Sequence, residues 1–133
     1  MRAVLDPNVV ISALLSPEGA PARTLLAWQR GLFELIVSAG LLAELERALA
    51  YPKLRSRIDP RDAAELIEWL TRNATFVEGP IEVPARSADP GDDYLLALAA
   101  AERAMLVSGD KHLLQLAEQQ PILPPARFLE LLE

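Results

Sequence analysis

The chain of 133 residues contains no cysteine, one histidine and seven aromatic residues. The lack of cysteine excludes disulfide frameworks, thiolate zinc sites and cysteine nucleophiles. His112 is the single imidazole, which excludes multi-histidine metal sites and paired-histidine acid–base chemistry. No apolar run approaches the length of a membrane span; the longest, about Leu95 to Ala101, is far too short. The N-terminus has one arginine and then Asp6, which is no signal peptide. Positive charge is also scarce, with 13 basic against 19 acidic side chains and a net charge of −6. A protein that grips nucleic acid by charge alone is basic, so a nucleic-acid partner would need positive charge from another source.

What remains is a hydrophobic content of 51% in a length suited to one domain, expected to span residues 1–133, soluble and cytoplasmic. The basic residues bunch: Arg47, Lys53, Arg55, Arg57 and Arg61 fall close together, while Ile81 to Tyr94 is mostly acidic. The bunch reads either as a solvated helix face or as a phosphate-contacting patch, with Arg47, Lys53 and Arg55 as candidate substrate contacts.

The order of elements carries the fold. Strands are predicted at Arg2–Leu5, Phe33–Val37, Ala74–Val77, Met105–Val107 and Pro121–Leu123. Helices are predicted from about Asn8 to Leu15, Pro21 to Arg30, Ala39 to Ala50, Pro60 to Arg72, Asp93 to Arg103, Lys111 to Glu118 and Pro125 to Leu132. Ser38 and Asp59 read as N-caps, and Gly79 to Pro90 as a proline-rich loop. Strands alternating with helices imply a three-layer α/β/α sandwich around a central parallel sheet.

In such a sheet ligands bind beyond the carboxyl ends of the strands. Asp6 directly follows the first strand, and Asp110 follows the fourth. Asp92 opens the helix that leads into the fourth strand, and Glu44 lies among Leu41, Leu42 and Leu45 in the helix after the second. Each has a plainer reading. Asp6 and Asp110 can cap the helices that follow them, and Asp92 and Asp93 can serve a helix dipole. Helical geometry places Glu44 beside Leu41 and Ala48, so partial burial is expected. Four converging carboxylates without histidine or cysteine make a hard-oxygen site suited to Mg²⁺ or Mn²⁺. Such a cation would also ease the charge problem, because these acids hold four of the six net negative charges.

Four segments carry a resemblance: VLDPNVVISALL, SAGLLAELERAL followed by PKLR, DPGDDYLLALAAA, and LVSGDKHLL. In this order and over nearly the whole chain they resemble the PIN-domain family, and within it the toxin branch of bacterial and archaeal toxin–antitoxin systems (VapC-like). The resemblance implies a parallel α/β/α fold and a Mg²⁺- or Mn²⁺-dependent ribonuclease. By position it marks Asp6, Glu44, Asp92 and Asp110 as catalytic, with Asp6, Asp92 and Asp110 as metal ligands. It marks Asn8, Ser108 and Asp93 as supporting residues. It also implies an RNA substrate, a cognate antitoxin and a homodimer. Pro7 departs from the family, which usually has a hydroxyl residue there, and this bears on the fine geometry of the site. Asp89 on the same loop reads as a cap, His112 as a surface residue, and Trp28 and Trp69 as core or partner contacts.

Two other classes compete. A receiver-like phospho-accepting module has similar length and alternation, but it needs an acidic pair near the first strand, where this chain has only Asp6. An inactive scaffold of the same fold, binding a protein partner, would be consistent with Pro7 but leaves the four acids without a purpose.

Overall fold

The computed structural model describes residues 1–133. Its elements run β1 (Arg2–Leu5), α1 (Pro7–Leu15), α2 (Ala20–Gln29), β2 (Glu34–Ser38), α3 (Ala39–Leu49), α4 (Pro52–Arg55) and α5 (Pro60–Asn73). They continue β3 (Thr75–Val77), α6 (Pro90–Ala101), β4 (Met105–Val107), α7 (Lys111–Leu114), β5 (Ile122–Leu123) and α8 (Pro125–Leu132). The five strands form one sheet in the order β3-β2-β1-β4-β5. Every pairing is parallel, with Ala3 opposite both Leu35 and Met105.

Strands buried on both faces are apolar in their buried part, as β1 is at Ala3–Leu5, β2 at Leu35–Val37 and β4 at Leu106–Val107. Ala3, Val4, Ile36, Leu106 and Val107 are wholly buried. Right-handed crossovers put the helices linking β1, β2 and β3 on one face and α6 on the other, because the chain reverses direction across the sheet between β3 and β4. In agreement, α1 packs on α2 and α3, and α3 on α5, while α6 packs on β1 and β4. The crevice between oppositely directed connections therefore opens at the carboxyl end of β1, beside β4.

Trp28 is buried and meets the half-buried Trp69 at a centroid separation of 4.6 Å, so the two indoles join α2 to α5 inside the core. Leu25 and Leu66 are buried with them, whereas Leu26 stays half exposed. No helix is long and apolar enough to cross a membrane.

The elements differ from the sequence reading in three places. The segment PKLR forms a single extra helical turn, α4, with Pro52 in its first turn. Helix α6 starts at Pro90 and not at Asp93, because the Asp89 side chain accepts from the Gly91 amide at 2.8 Å and so caps the helix three residues earlier. Helix α7 is only four residues long, and the chain then continues in turns toward β5.

Candidate functional site

Proline after an aspartate shapes the first corner. Pro7 takes the first helical position of α1, where its missing N–H has no partner to lose. Asp6 is left extended (φ −56°, ψ 134°) at the end of β1, with its amide bonded to the Val107 carbonyl of β4. Its carboxylate is then claimed from two sides. One oxygen accepts from the Asn8 amide at 3.0 Å and caps α1. The other accepts from the Ser108 hydroxyl at 2.8 Å. Ser108 is fully buried, and its oxygen accepts in turn from the Asp110 amide at 3.1 Å. Asp6 is thus both the cap and the fixed centre of the corner, only 4% exposed.

Asp6, Asn8, Glu44 and Asp92 line one cavity of about 380 Å³, together with Gly40, Asp89 and Tyr94. Asp110 borders the adjoining hollow, and Asn8 contributes to both. Asp110 also caps α7 by accepting from the His112 amide at 2.7 Å. His112 itself is exposed and lines neither cavity.

The electrostatics of these acids are unfavourable. Burial raises the pKa of Asp6, two hydrogen bonds oppose the rise, and the charges of Asp110 and Asp89 add to it. Asp92 is pushed up to about 6, first by desolvation and then by Asp89, Asp110, Asp6 and Asp93. None of Asp6, Asp89, Asp92 and Asp110 has a basic partner in an ion pair. A positive charge placed among them would relieve that repulsion.

Glu44 corrects one expectation. Its side chain is 56% exposed rather than partly buried, and it pairs with Arg47 at 3.1 Å. Leu41, Leu42 and Leu45 take the inward arc of α3, so the acid sits on the rim of the cavity, where water can reach it.

Asp93, expected as a supporting residue, does not line the cavity itself. One buried oxygen accepts from the amides of Arg86 (2.9 Å) and Ser87 (2.8 Å) and from the Ser87 hydroxyl (2.8 Å). Those bonds, led by the Arg86 amide, hold its pKa below the ordinary value. Asp93 therefore anchors the loop entering α6.

Lys53 and Arg55 are exposed on α4 and line neither acidic hollow. Arg55 borders a different hollow, between α3 and α5, and Arg47 reaches the acidic cavity only through Glu44.

No three acidic side chains stand close enough together to share one ion as they are placed, so the site is not a preformed metal cage. Its donor set nevertheless suits a hard divalent cation: carboxylate oxygens from several elements, with no thiolate and no imidazole in the cavity.

The sequence reading did not single out Tyr94. Its hydroxyl lies 2.6 Å from that of Ser38, the residue whose side chain caps α3 by accepting from the Leu41 amide. No sequence signal tied Tyr94 to the end of β2, which lies 56 residues away.

A model of the PIN domain family matches residues 2–112. An uncharacterised protein of Methanocaldococcus jannaschii, MJ1680, is 26% identical over 124 residues, spanning 92% of this chain and 79% of that one. The crystal structure of PAE2754 from Pyrobaculum aerophilum is similar with a TM-score of 0.68 at 18% identity, covering 99% of this chain and 89% of its own. VapBC-1 from nontypeable Haemophilus influenzae has a similar chain, with a TM-score of 0.66 at 15% identity, covering 95% and 99%. At these identities the solved structures share the fold.

Proposed function

The chain belongs to the PIN domain family, and from that premise we propose that it is a Mg²⁺- or Mn²⁺-dependent endoribonuclease, the toxin of a toxin–antitoxin pair. One observation carries the reading. Asp6, Asp89, Asp92 and Asp110, none with a basic partner, lie toward the carboxyl edge of a parallel sheet, and desolvation, followed by the charges of the neighbouring acids, pushes Asp92 to about 6. A fold that keeps such an arrangement forgoes stability unless the charges serve a ligand.

Asp6, Asp92 and Asp110 would hold the cation, and Glu44 would act from the rim. When bound, the cation neutralises charge on the phosphate and activates water. The chain's own residues do the positioning. Ser108 and the Asn8 amide fix the Asp6 carboxylate, so that it does not have to be ordered when the substrate arrives. Asp93 holds the loop before α6 and thereby the first turn that carries Asp92.

Hydrolysis by water needs neither the RNA 2′-hydroxyl nor a histidine pair, which suits a chain with one exposed imidazole. The partners that go with this reading are an RNA substrate in the cytoplasm, a cognate antitoxin, and a second copy of the chain. The exposed Leu26, Leu32 and Leu131 supply apolar surface for such association.

The test is cleavage of a labelled RNA with analysis of its ends. Products with 5′-phosphate and 3′-hydroxyl ends, lost in EDTA and retained by His112→Ala, are expected. Ends carrying 2′,3′-cyclic phosphate, or cutting that persists in EDTA, would overturn the reading.

A further inference from the structure

Three separate segments close around one phenol oxygen beside the acidic cavity. Tyr94 stands in the first turns of α6, two residues after Asp92, and lines the cavity with it. Its hydroxyl meets the Ser38 hydroxyl at 2.6 Å, at the junction where β2 passes into α3. The third segment is Gly79, just beyond β3.

Both glycines that face the ring are required by it. A Cβ on Gly40 would stand 2.7 Å from the Tyr94 hydroxyl oxygen and 2.9 Å from the ring carbon that bears it. A Cβ on Gly79 would stand 2.8 Å from the same oxygen. These separations lie far inside van der Waals contact, so any side chain at either position displaces the tyrosine. Gly79 also has φ +92°, a backbone region that other residues rarely adopt. Gly40 and Gly79 thus leave open the space that the one hydroxyl occupies.

We infer that Tyr94 is a positioning residue of the acidic site, whose hydroxyl latches the start of α6, and with it Asp92, to the β2–α3 corner, from which α3 carries Glu44. The inference rests on the cation reading of the previous subsection. Asp92 belongs to α6, whereas Asp6 follows β1 and Glu44 lies on α3, so the separation of these carboxylates depends on how α6 is held against the sheet edge. Asp93 fixes the loop side of that turn. The Tyr94–Ser38 pair fixes the cavity side. The pair is a hydroxyl-to-hydroxyl bond of ordinary short length, which either residue can donate.

Calorimetric titration with Mn²⁺ alone tests it, on the wild type, Tyr94→Phe, Ser38→Ala and the double variant. Tyr94→Phe is expected to bind Mn²⁺ roughly three- to tenfold more weakly, the worth of one net hydrogen bond, and Ser38→Ala, which also loses the α3 cap, at least as much. The double variant should be no weaker than the weaker single, because both lose the same bond. The Mn²⁺ concentration for half-maximal RNA cleavage should rise by the same factor in Tyr94→Phe, with activity recovered at saturating Mn²⁺. A merely structural tyrosine would lower the melting temperature and leave the affinity of the folded fraction unchanged. Wild-type affinity in Tyr94→Phe, or losses that add in the double variant, would overturn the latch while leaving the cation reading standing. A wild type that binds no Mn²⁺ would overturn both.

Discussion

The two edges of the sheet carry similar residues and treat them in opposite ways. At the amino edge, Arg2 begins β1 and bonds Glu34, which begins β2, at 2.8 Å. It also reaches Glu102 at 3.2 Å, and Thr75 at the start of β3 donates to Glu34 at 3.0 Å. Charge there is matched, and the bonds from Thr75 and Arg2 hold the Glu34 pKa below its ordinary value. At the carboxyl edge, Asp6, Asp89, Asp92 and Asp110 have no basic side chain paired with them, and Asp6 and Asp92 are pushed upward, first by desolvation and then by neighbouring acids. The amino edge is an ion-pair network that completes itself. The carboxyl edge has no such matching among its own side chains, and that contrast, more than the count of acids, is what the cation proposal rests on.

The largest expected difference between the edges is in catalysis. Asp6→Asn should lower RNA cleavage by about a thousandfold, the scale of several kcal/mol of charge stabilisation. Arg2→Ala should leave the rate per folded molecule unchanged and lower only the melting temperature. A comparable loss of cleavage in both would erase the distinction.

The neighbouring pair Asp92 and Asp93 sharpens the same contrast within one helical turn. Asp93→Ala removes the acceptor of three hydrogen bonds and should destabilise the protein. Asp92→Asn should make the metal-free protein more stable, because a repelled charge is gone. Thermal unfolding in EDTA reads both signs directly.

The pH dependence follows from Asp92. Its folded pKa of about 6 exceeds its value in the unfolded chain, so the native state binds the proton more tightly between about 4 and 6. The resulting stability is present at acid pH and is lost as pH rises through about 6. The side chain is partly solvated, so a loss of about 1 kcal/mol is expected for the metal-free protein, well below the full worth of the shift. Asp92→Asn should flatten that slope. Smallest of all is the effect of Glu44→Gln, about tenfold or less on cleavage, since the side chain is exposed and already paired with Arg47.

Much of this was legible in the sequence because it rests on local rules. Apolar β-branched runs marked the strands, the proline after Asp59 marked a helix start, and the carboxyl-edge rule gathered Asp6, Asp92 and Asp110. What was not legible depends on contacts distant in the chain or on choices between equal signals. Helix α4 is one turn, too short for a periodic pattern. Asp89 reads as a cap, but that the helix starts directly after it, at Pro90 and not at Asp93, is decided only by the folded loop. Glu44 lies at the margin of the apolar arc, and Arg47 three residues on draws it outward. Asp93 carries the same chemistry as Asp92, and the Arg86 and Ser87 amides that claim it are visible only once the loop is closed. Tyr94 needs Ser38 and Gly40, from the β2–α3 junction, and Gly79, from just beyond β3, brought around it.

The central claim is that the carboxyl-edge acids are left unmatched for a divalent cation, and thermal unfolding with and without Mn²⁺ tests it most directly. Wild-type protein should gain about 2.7 kcal/mol at a hundredfold excess over the dissociation constant. Asp6→Asn should lose most of that gain while remaining folded, and Arg2→Ala should keep it. No Mn²⁺-dependent rise at millimolar concentration, or an equal rise in Asp6→Asn, would contradict the claim.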